Sequence, residues 1–136
     1  MIDGLSHAAF ERLCRRHQVR LAVVFGSTVA ERRTAQSDLD LAFWLEGRRL
    51  EGQDLVLTNA LMRVLHRNDV DVVVLNHASP LLAWQVASTG RMVYERHPGQ
   101  FHQFQVLAMK RYDDSRKLFN LQDYFLTRFL KRVKPA

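Results

Sequence analysis

Two carboxylates one residue apart, Asp38 and Asp40, stand ten residues beyond the pair Gly26-Ser27, which closes the apolar run Val23-Val24-Phe25. Side chains alternate along a β-strand, so Asp38 and Asp40 would share one face while Leu39, Leu41, Phe43 and Leu45 share the other. The pattern assigns one face to the core and the other to chemistry. Acids on adjacent same-face positions suit hard divalent cations, which take oxygen ligands and keep part of their hydration. Phosphoryl and nucleotidyl transfer rely on such ions, because catalysis there is mostly positioning and charge neutralisation. The Gly26-Ser27 pair offers the complementary half of such a site. Glycine lets backbone approach a phosphate closely, and amides at a strand-to-helix turn point at the anion with the helix dipole behind them. Ser27 adds a hydroxyl donor and a helix cap.

A third carboxylate is expected from a neighbouring strand, and Asp71 in Val70-Asp71-Val72-Val73-Val74-Leu75 is the candidate. An acid in so apolar a run is costly unless something pairs with it. Three carboxylates about 5 Å apart at an effective dielectric near 20 repel by roughly 3 kcal/mol per pair. A bound divalent cation answers that repulsion directly. Asp69 is the fallback third ligand, placed less well beside the Asn68-Asp69 turn.

Gly26-Ser27, the ten-residue gap, Asp38-x-Asp40 and the later Asp71 resemble the signature of the DNA polymerase beta-like nucleotidyltransferase superfamily. The short chain and the order of its elements resemble the minimal nucleotidyltransferases, the antitoxin halves of HEPN/MNT toxin–antitoxin modules. The resemblance implies a transferase with ATP as substrate, its phosphates against Gly26 and Ser27. Two Mg2+ ions would lie between Asp38, Asp40 and Asp71. It further implies a HEPN-type ribonuclease toxin as partner in a hetero-oligomer, silenced by AMP attached to a tyrosine hydroxyl. One departure stands out: the family often follows Gly-Ser with Arg-Ala-Arg-Gly, whereas this chain has Thr28-Val29-Ala30-Glu31. The missing arginine bears on triphosphate affinity and catalytic strength more than on the fold. It favours a second reading, an antitoxin of little or no activity that neutralises its partner by occlusion. A transferase acting on RNA ends ranks third, since so short a chain holds no evident RNA-gripping domain.

Composition agrees with a single folded unit. At 136 residues and 47% hydrophobic content the chain can bury a real core. No apolar run approaches the length of a membrane span and no signal peptide opens the chain, so the expectation is a cytoplasmic protein. The lone Cys14 excludes an internal disulfide and a cysteine-based zinc site. A net charge of +6 points to acidic partners. The basic residues are scattered in pairs, however, without interleaved aromatics, and direct nucleic-acid binding is not expected.

The elements that must position the acids follow from periodicity. Residues 5–17 read as an amphipathic helix capped by Ser6 or Asp3, with Phe10 and Cys14 facing the core. Residues 19–25 form a strand apolar on both faces, hence central and covered by helices. A short helix over 28–33 and a turn from Thr34 to Ser37 lead to the Asp38 strand. A helix from Asp54, its cap, to His66 precedes the Asp71 strand. Ser79-Pro80 starts another helix that Gly90 stops, with Trp84 in a packing role, and Arg91 to Glu95 close the sheet. The fold class is α/β (α+β), a small mixed sheet flanked by helices in the nucleotidyltransferase manner, with a helical C-terminal extension. Pro98-Gly99 divides a core of residues 1–97 from the extension of 98–136. That extension holds seven of the chain's 13 aromatics. Phe101, Phe104, Ala108, Tyr112, Ser115 and Phe119 trace one stripe, and Leu121, Phe125 and Phe129 a second. About half of this surface should fold back on the core and the rest dock on another subunit. The six histidines show no metal-binding spacing.

Overall fold

The computed structural model describes residues 7–26, 39–47 and 50–133. The expectations for Asp3, Ser6, Ser27, the 28–33 helix with its Thr28-to-Glu31 departure, the Thr34-to-Ser37 turn and Asp38 lie outside the described residues.

Four strands, β1 (Val19–Phe25), β2 (Leu39–Leu45), β3 (Val70–Val74) and β4 (Arg91–Glu95), form one sheet in the order β3-β2-β1-β4. The sheet is mixed: β1 runs antiparallel to both β2 and β4, while β2 and β3 are parallel. A parallel pair needs a crossover, and helix α2 (Gln53–Leu65) supplies it. The strand read as apolar on both faces, β1, is indeed interior, with both of its faces buried.

Each face has its own core. Against one, α1 (His7–Arg16) brings Phe10, Leu13 and Cys14 and α2 brings Leu57, Leu61 and Leu65 onto Leu39, Leu41 and Phe43. Against the other, α3 (Pro80–Thr89) and α4 (Gln100–Val133) bring Ala83, Val86, Phe104 and Ala108 onto Leu21, Val23 and Ala42. The expected split between a core face and a chemical face therefore needs correction. Ala42, two residues after Asp40, is fully buried on Asp40's own face. Asp40, half-buried, stands at the end of a face that is core elsewhere.

Local chemistry sets the element ends. Ser79 caps α3 as its sequence indicates, accepting from the Leu82 amide at 3.2 Å with Pro80 in the first turn. Asp54 does not cap α2. The cap is Gly52, at φ 76°, and Asp54 sits inside the first turn, where an acid still favours the helix dipole. Glu95 closes the start of α4, accepting from the Phe101 amide at 3.2 Å, while Gln100 Oε1 accepts from the His97 amide at 2.9 Å. Asn76, after β3, clasps the end of β2: its side chain donates to the Leu45 carbonyl and accepts from the Leu45 amide, both at 2.9 Å.

Helix α4 has 34 residues, a length of about 50 Å at 1.5 Å per residue. Its first half runs antiparallel along α3. Gln105 donates to the Ala87 carbonyl and Arg111 to the Ala78 carbonyl, each at 3.0 Å. Trp84 stacks on Tyr112 with centroids 4.9 Å apart, which is the packing role expected of it. From Arg116 to Arg132 every side chain is exposed. Gly90 ends α3 with an ordinary φ of −76°, so it serves space rather than backbone freedom. A β-carbon there would strike Val23 Cγ1 and the Val86 carbonyl oxygen. Gly90→Ala is therefore expected to cost about 1–3 kcal/mol as an overpacked core contact. Urea unfolding measures it, and an unchanged midpoint would refute the contact.

Candidate active site

Three chain segments meet at one end of the sheet. Because β2 and β3 are parallel, their first residues lie together, and the antiparallel β1 ends there, with Phe25 opposite Asp40. The register pairs Leu39 with Val70 and Asp40 with Asp71. Directly paired residues of neighbouring strands project to the same side and sit about 4.8 Å apart along the ladder. Asp40 and Asp71 thus share one face, the one that carries Phe25 and Val73. One hydrogen bond outside the ladder locks this arrangement: the Leu39 amide donates to the Asp69 carbonyl at 2.8 Å, tying the start of β2 to the residues that lead into β3.

Gly26 completes the corner. It leaves β1 at φ 75°, in the left-handed region, and a β-carbon there would collide with Oδ2 of Asp40. Glycine is required on both counts, for its conformation and for the room it leaves a carboxylate. The turn backbone and the Asp40 side chain are packed against each other.

Two expectations change. Asp71 is exposed, at the beginning of an edge strand, so no burial penalty compels it to find a partner. The argument from an acid trapped among valines fails because β3 borders the sheet. Asp69, the fallback ligand, is engaged elsewhere: both carboxylate oxygens accept from the Arg67 guanidinium, Nε to Oδ1 and Nη2 to Oδ2. That bidentate pairing holds the Asp69 carboxyl below the usual carboxylate range. Arg67 was not singled out from sequence. The available signal was a basic residue two positions before an acid across a tight turn.

Among the described residues no three His, Cys, Asp or Glu side chains gather as a metal-binding set. The pair Asp40 and Asp71 nonetheless fits a hard cation. Its donors are carboxylate oxygens on adjacent strands, and one of them lines a corner that only glycine leaves open. Other reactive groups do not compete. Cys14 is fully buried and its thiol is pushed far up, by burial first and by Glu11 second. His17 is lowered, by burial and then by Arg16, and His7 pairs with Glu11 at 3.0 Å.

The family model described as Polymerase beta, Nucleotidyltransferase matches residues 10–99, a span that contains Gly26, Asp40 and Asp71. The chain belongs to this family. A curated relative, the protein adenylyltransferase MntA of Aphanizomenon flos-aquae (strain 2012/KM1/D3), is 27% identical over 140 residues, covering 96% of this chain and 93% of its own. A toxin-antitoxin crystal structure with AMP-PNP contains a chain that superposes with a TM-score of 0.71 at 23% identity, over 89% of this chain and 99% of that one. A second structure, of a tri-AMPylated Shewanella oneidensis HEPN toxin with its MNT antitoxin, gives 0.64 at 22% identity, over 88% and 95%. At these identities the superpositions establish the nucleotidyltransferase fold, the mixed sheet with its helices. The resemblance drawn from the Gly-Ser and Asp-x-Asp spacing is met, and so is the expected fold class. Among the described residues no helix is long and apolar enough to cross a membrane.

Two outcomes follow. Gly26→Ala forces a β-carbon into the left-handed region, at roughly 1–2 kcal/mol, and drives it into Asp40. Nucleotide affinity should fall while the fold survives, as isothermal titration with ATP and magnesium would measure; unaltered affinity would contradict the corner. Cys14 should resist a thiol reagent such as dithionitrobenzoate in the folded chain and react once urea unfolds it. Rapid labelling of the native protein would show that the α1 core is open.

Proposed function

We propose that this chain is a magnesium-dependent nucleotidyltransferase that moves AMP from ATP to a tyrosine hydroxyl of a cognate HEPN ribonuclease toxin, and so silences it. The observation that carries the reading is the Asp40–Asp71 register beside Gly26. It is supported by family membership and by the relative named for adenylyl transfer. The AMPylated toxin in the superposable complex supports the choice of acceptor protein.

In this reading Gly26 and Ser27 receive the triphosphate, and Asp38, Asp40 and Asp71 hold the metal. When bound there, magnesium supplies charge neutralisation at the phosphates and a lowered pKa for the acceptor hydroxyl. The acceptor oxygen bonds to the α-phosphorus and the bond from that phosphorus to the bridging oxygen of the β-phosphate breaks. Pyrophosphate leaves, and the hydroxyl proton passes to Asp71. The exposure of Asp71 suits that role, since an acceptor from another protein must reach it. Residues 1–97 form the transferase core, and residues 98–136 form an extension that packs partly on it and partly on the partner. The protein works in the cytoplasm as a hetero-oligomer with its toxin.

The test is to incubate the chain and its cognate toxin with magnesium and ATP labelled at the α-phosphate. Asp40→Asn and Asp71→Asn should each lower transfer by about a hundredfold or more, the scale of losing one preorganised electrostatic group. Both variants should keep the wild-type melting temperature, because neither side chain is in the core. Absence of label on the toxin from wild-type protein, with a stable complex still formed, would favour neutralisation by occlusion; label on RNA instead would mean a different acceptor.

A further inference from the structure

The two edges of the sheet are finished differently. β4 is blunted: its pairing with β1 slips between Ala22 and Val23, and it carries Arg91 and Glu95, devices that discourage a further strand. β3 has no lysine, no proline and no slip in its ladder, which runs evenly from the Leu39 and Val70 pair to the Phe43 and Val74 pair. Its one charge is Asp71, which belongs to the site. The Leu39 amide donates to the Asp69 carbonyl, and along a parallel ladder successive residues turn their N–H and C=O groups alternately to one side and the other. Asp69, Asp71 and Val73 therefore address β2, while Val70, Val72 and Val74 address the outer edge. Among the described residues no hydrogen bond reaches the Val72 backbone. Val72, Val73 and Val74 are half-buried and line a cleft of about 470 Å3 beside the strand, together with Leu50, Gly52 and Leu82.

We infer that the outer edge of β3 receives an extended segment of the acceptor protein as an added strand, with the residue to be modified aligned on Asp71. The inference rests on the transferase reading above and adds to it how the acceptor is held. Position selects the occupant. Asp40 and Asp71 are ladder partners on one face, and a strand laid on β3 extends that row. Its residue opposite Asp71 projects to the same face about 4.8 Å further on. A hydroxyl carried there comes to the exposed Asp71 from the side away from Asp40, within reach of a nucleotide at the Gly26 corner. Main-chain hydrogen bonds to Val72 hold the segment whatever its sequence, and the valine-lined cleft takes its alternate side chains. Pairing of two β3 edges from two copies of the chain would instead close the approach to Asp71 in both. A second copy is therefore the disfavoured occupant.

The test begins with the unaltered chain. Amide hydrogen exchange of the nitrogen-15-labelled protein is followed alone, at low and high concentration, and with the cognate toxin, magnesium and α,β-methylene ATP, an analogue that cannot give up AMP. In the free chain the Asp71 and Val73 amides, turned to β2, should exchange slowly and the Val72 amide fast. With the toxin the Val72 amide should slow at least tenfold. Val72→Pro, which removes an outward N–H, should bind ATP with magnesium like wild type. Its kcat/KM for the toxin should fall at least tenfold below that of Val72→Ala, which trims the side chain and keeps the amide. A Val72 amide that stays fast in the complex, or equal transfer by the proline and alanine variants, would overturn the inference and leave the transferase reading intact. Slowing that appears on concentrating the chain without toxin would make a second copy the occupant and overturn it as well. A wild-type chain that puts no label on the toxin, although the toxin still slows the Val72 amide, would sink the transferase reading and leave the strand-pairing edge standing.

Discussion

The parallel pairing of β2 with β3 is the constraint on which the site depends. The two strands enter the sheet from different places in the chain, and their alignment alone decides whether Asp40 and Asp71 meet. A slip of one residue would turn Asp71 to the opposite face and take its valines with it. The register is held at both ends. At the site, the Asp69 carbonyl takes the Leu39 amide, with Arg67 gripping the Asp69 carboxylate. At the far end, Asn76 makes two hydrogen bonds to Leu45. Between them, Leu39, Leu41 and Phe43 are sealed under α1 and α2, so the apolar face fixes which way the acids point.

The same arrangement explains why one face can be both core and site. Helices α3 and α4 cover Ala42, Val23 and Leu21, while at the end where β1 stops and β2 and β3 begin Asp40 is half-buried and Asp71 exposed. An acid one strand-step from a buried alanine can therefore remain half-exposed. Gly26 shapes the corner from the β1 side, because any side chain there would displace Asp40. Family membership gives this corner its chemical context: nucleotidyl transfer needs phosphate-facing backbone beside metal-binding carboxylates.

Much of this was legible in the residues. Alternation in Leu39, Leu41, Phe43 and Leu45 gave the core face of β2, the double-sided apolarity of residues 19–25 gave its central place, and Ser79-Pro80 gave a helix start. Contacts that are set by tertiary neighbours could not be read. The demand on Gly90 comes from Val23, far away in sequence, and the exposure of Asp71 comes from β3 lying at an edge, which strand composition does not reveal. Asp54 looked like a cap because acids favour helix starts, yet Gly52 in the left-handed region turns the chain two residues earlier. The aromatic excess after Pro98 signalled surplus apolar surface, and the structure divides it near Ser115.

The central claim is that acids from β2 and β3 grip one cation at the Gly26 corner. Manganese, which replaces magnesium at oxygen sites and broadens nearby nuclear resonances, tests it most directly when titrated with ATP into nitrogen-15-labelled protein. The amides of Gly26, Asp40 and Asp71 should broaden first, those of Glu46 and Glu95 at the other end of the sheet should stay sharp, and Asp40→Asn should abolish the effect. Broadening centred on Glu46 and Glu95, or broadening at the Gly26 corner that survives Asp40→Asn and Asp71→Asn together, would contradict the account.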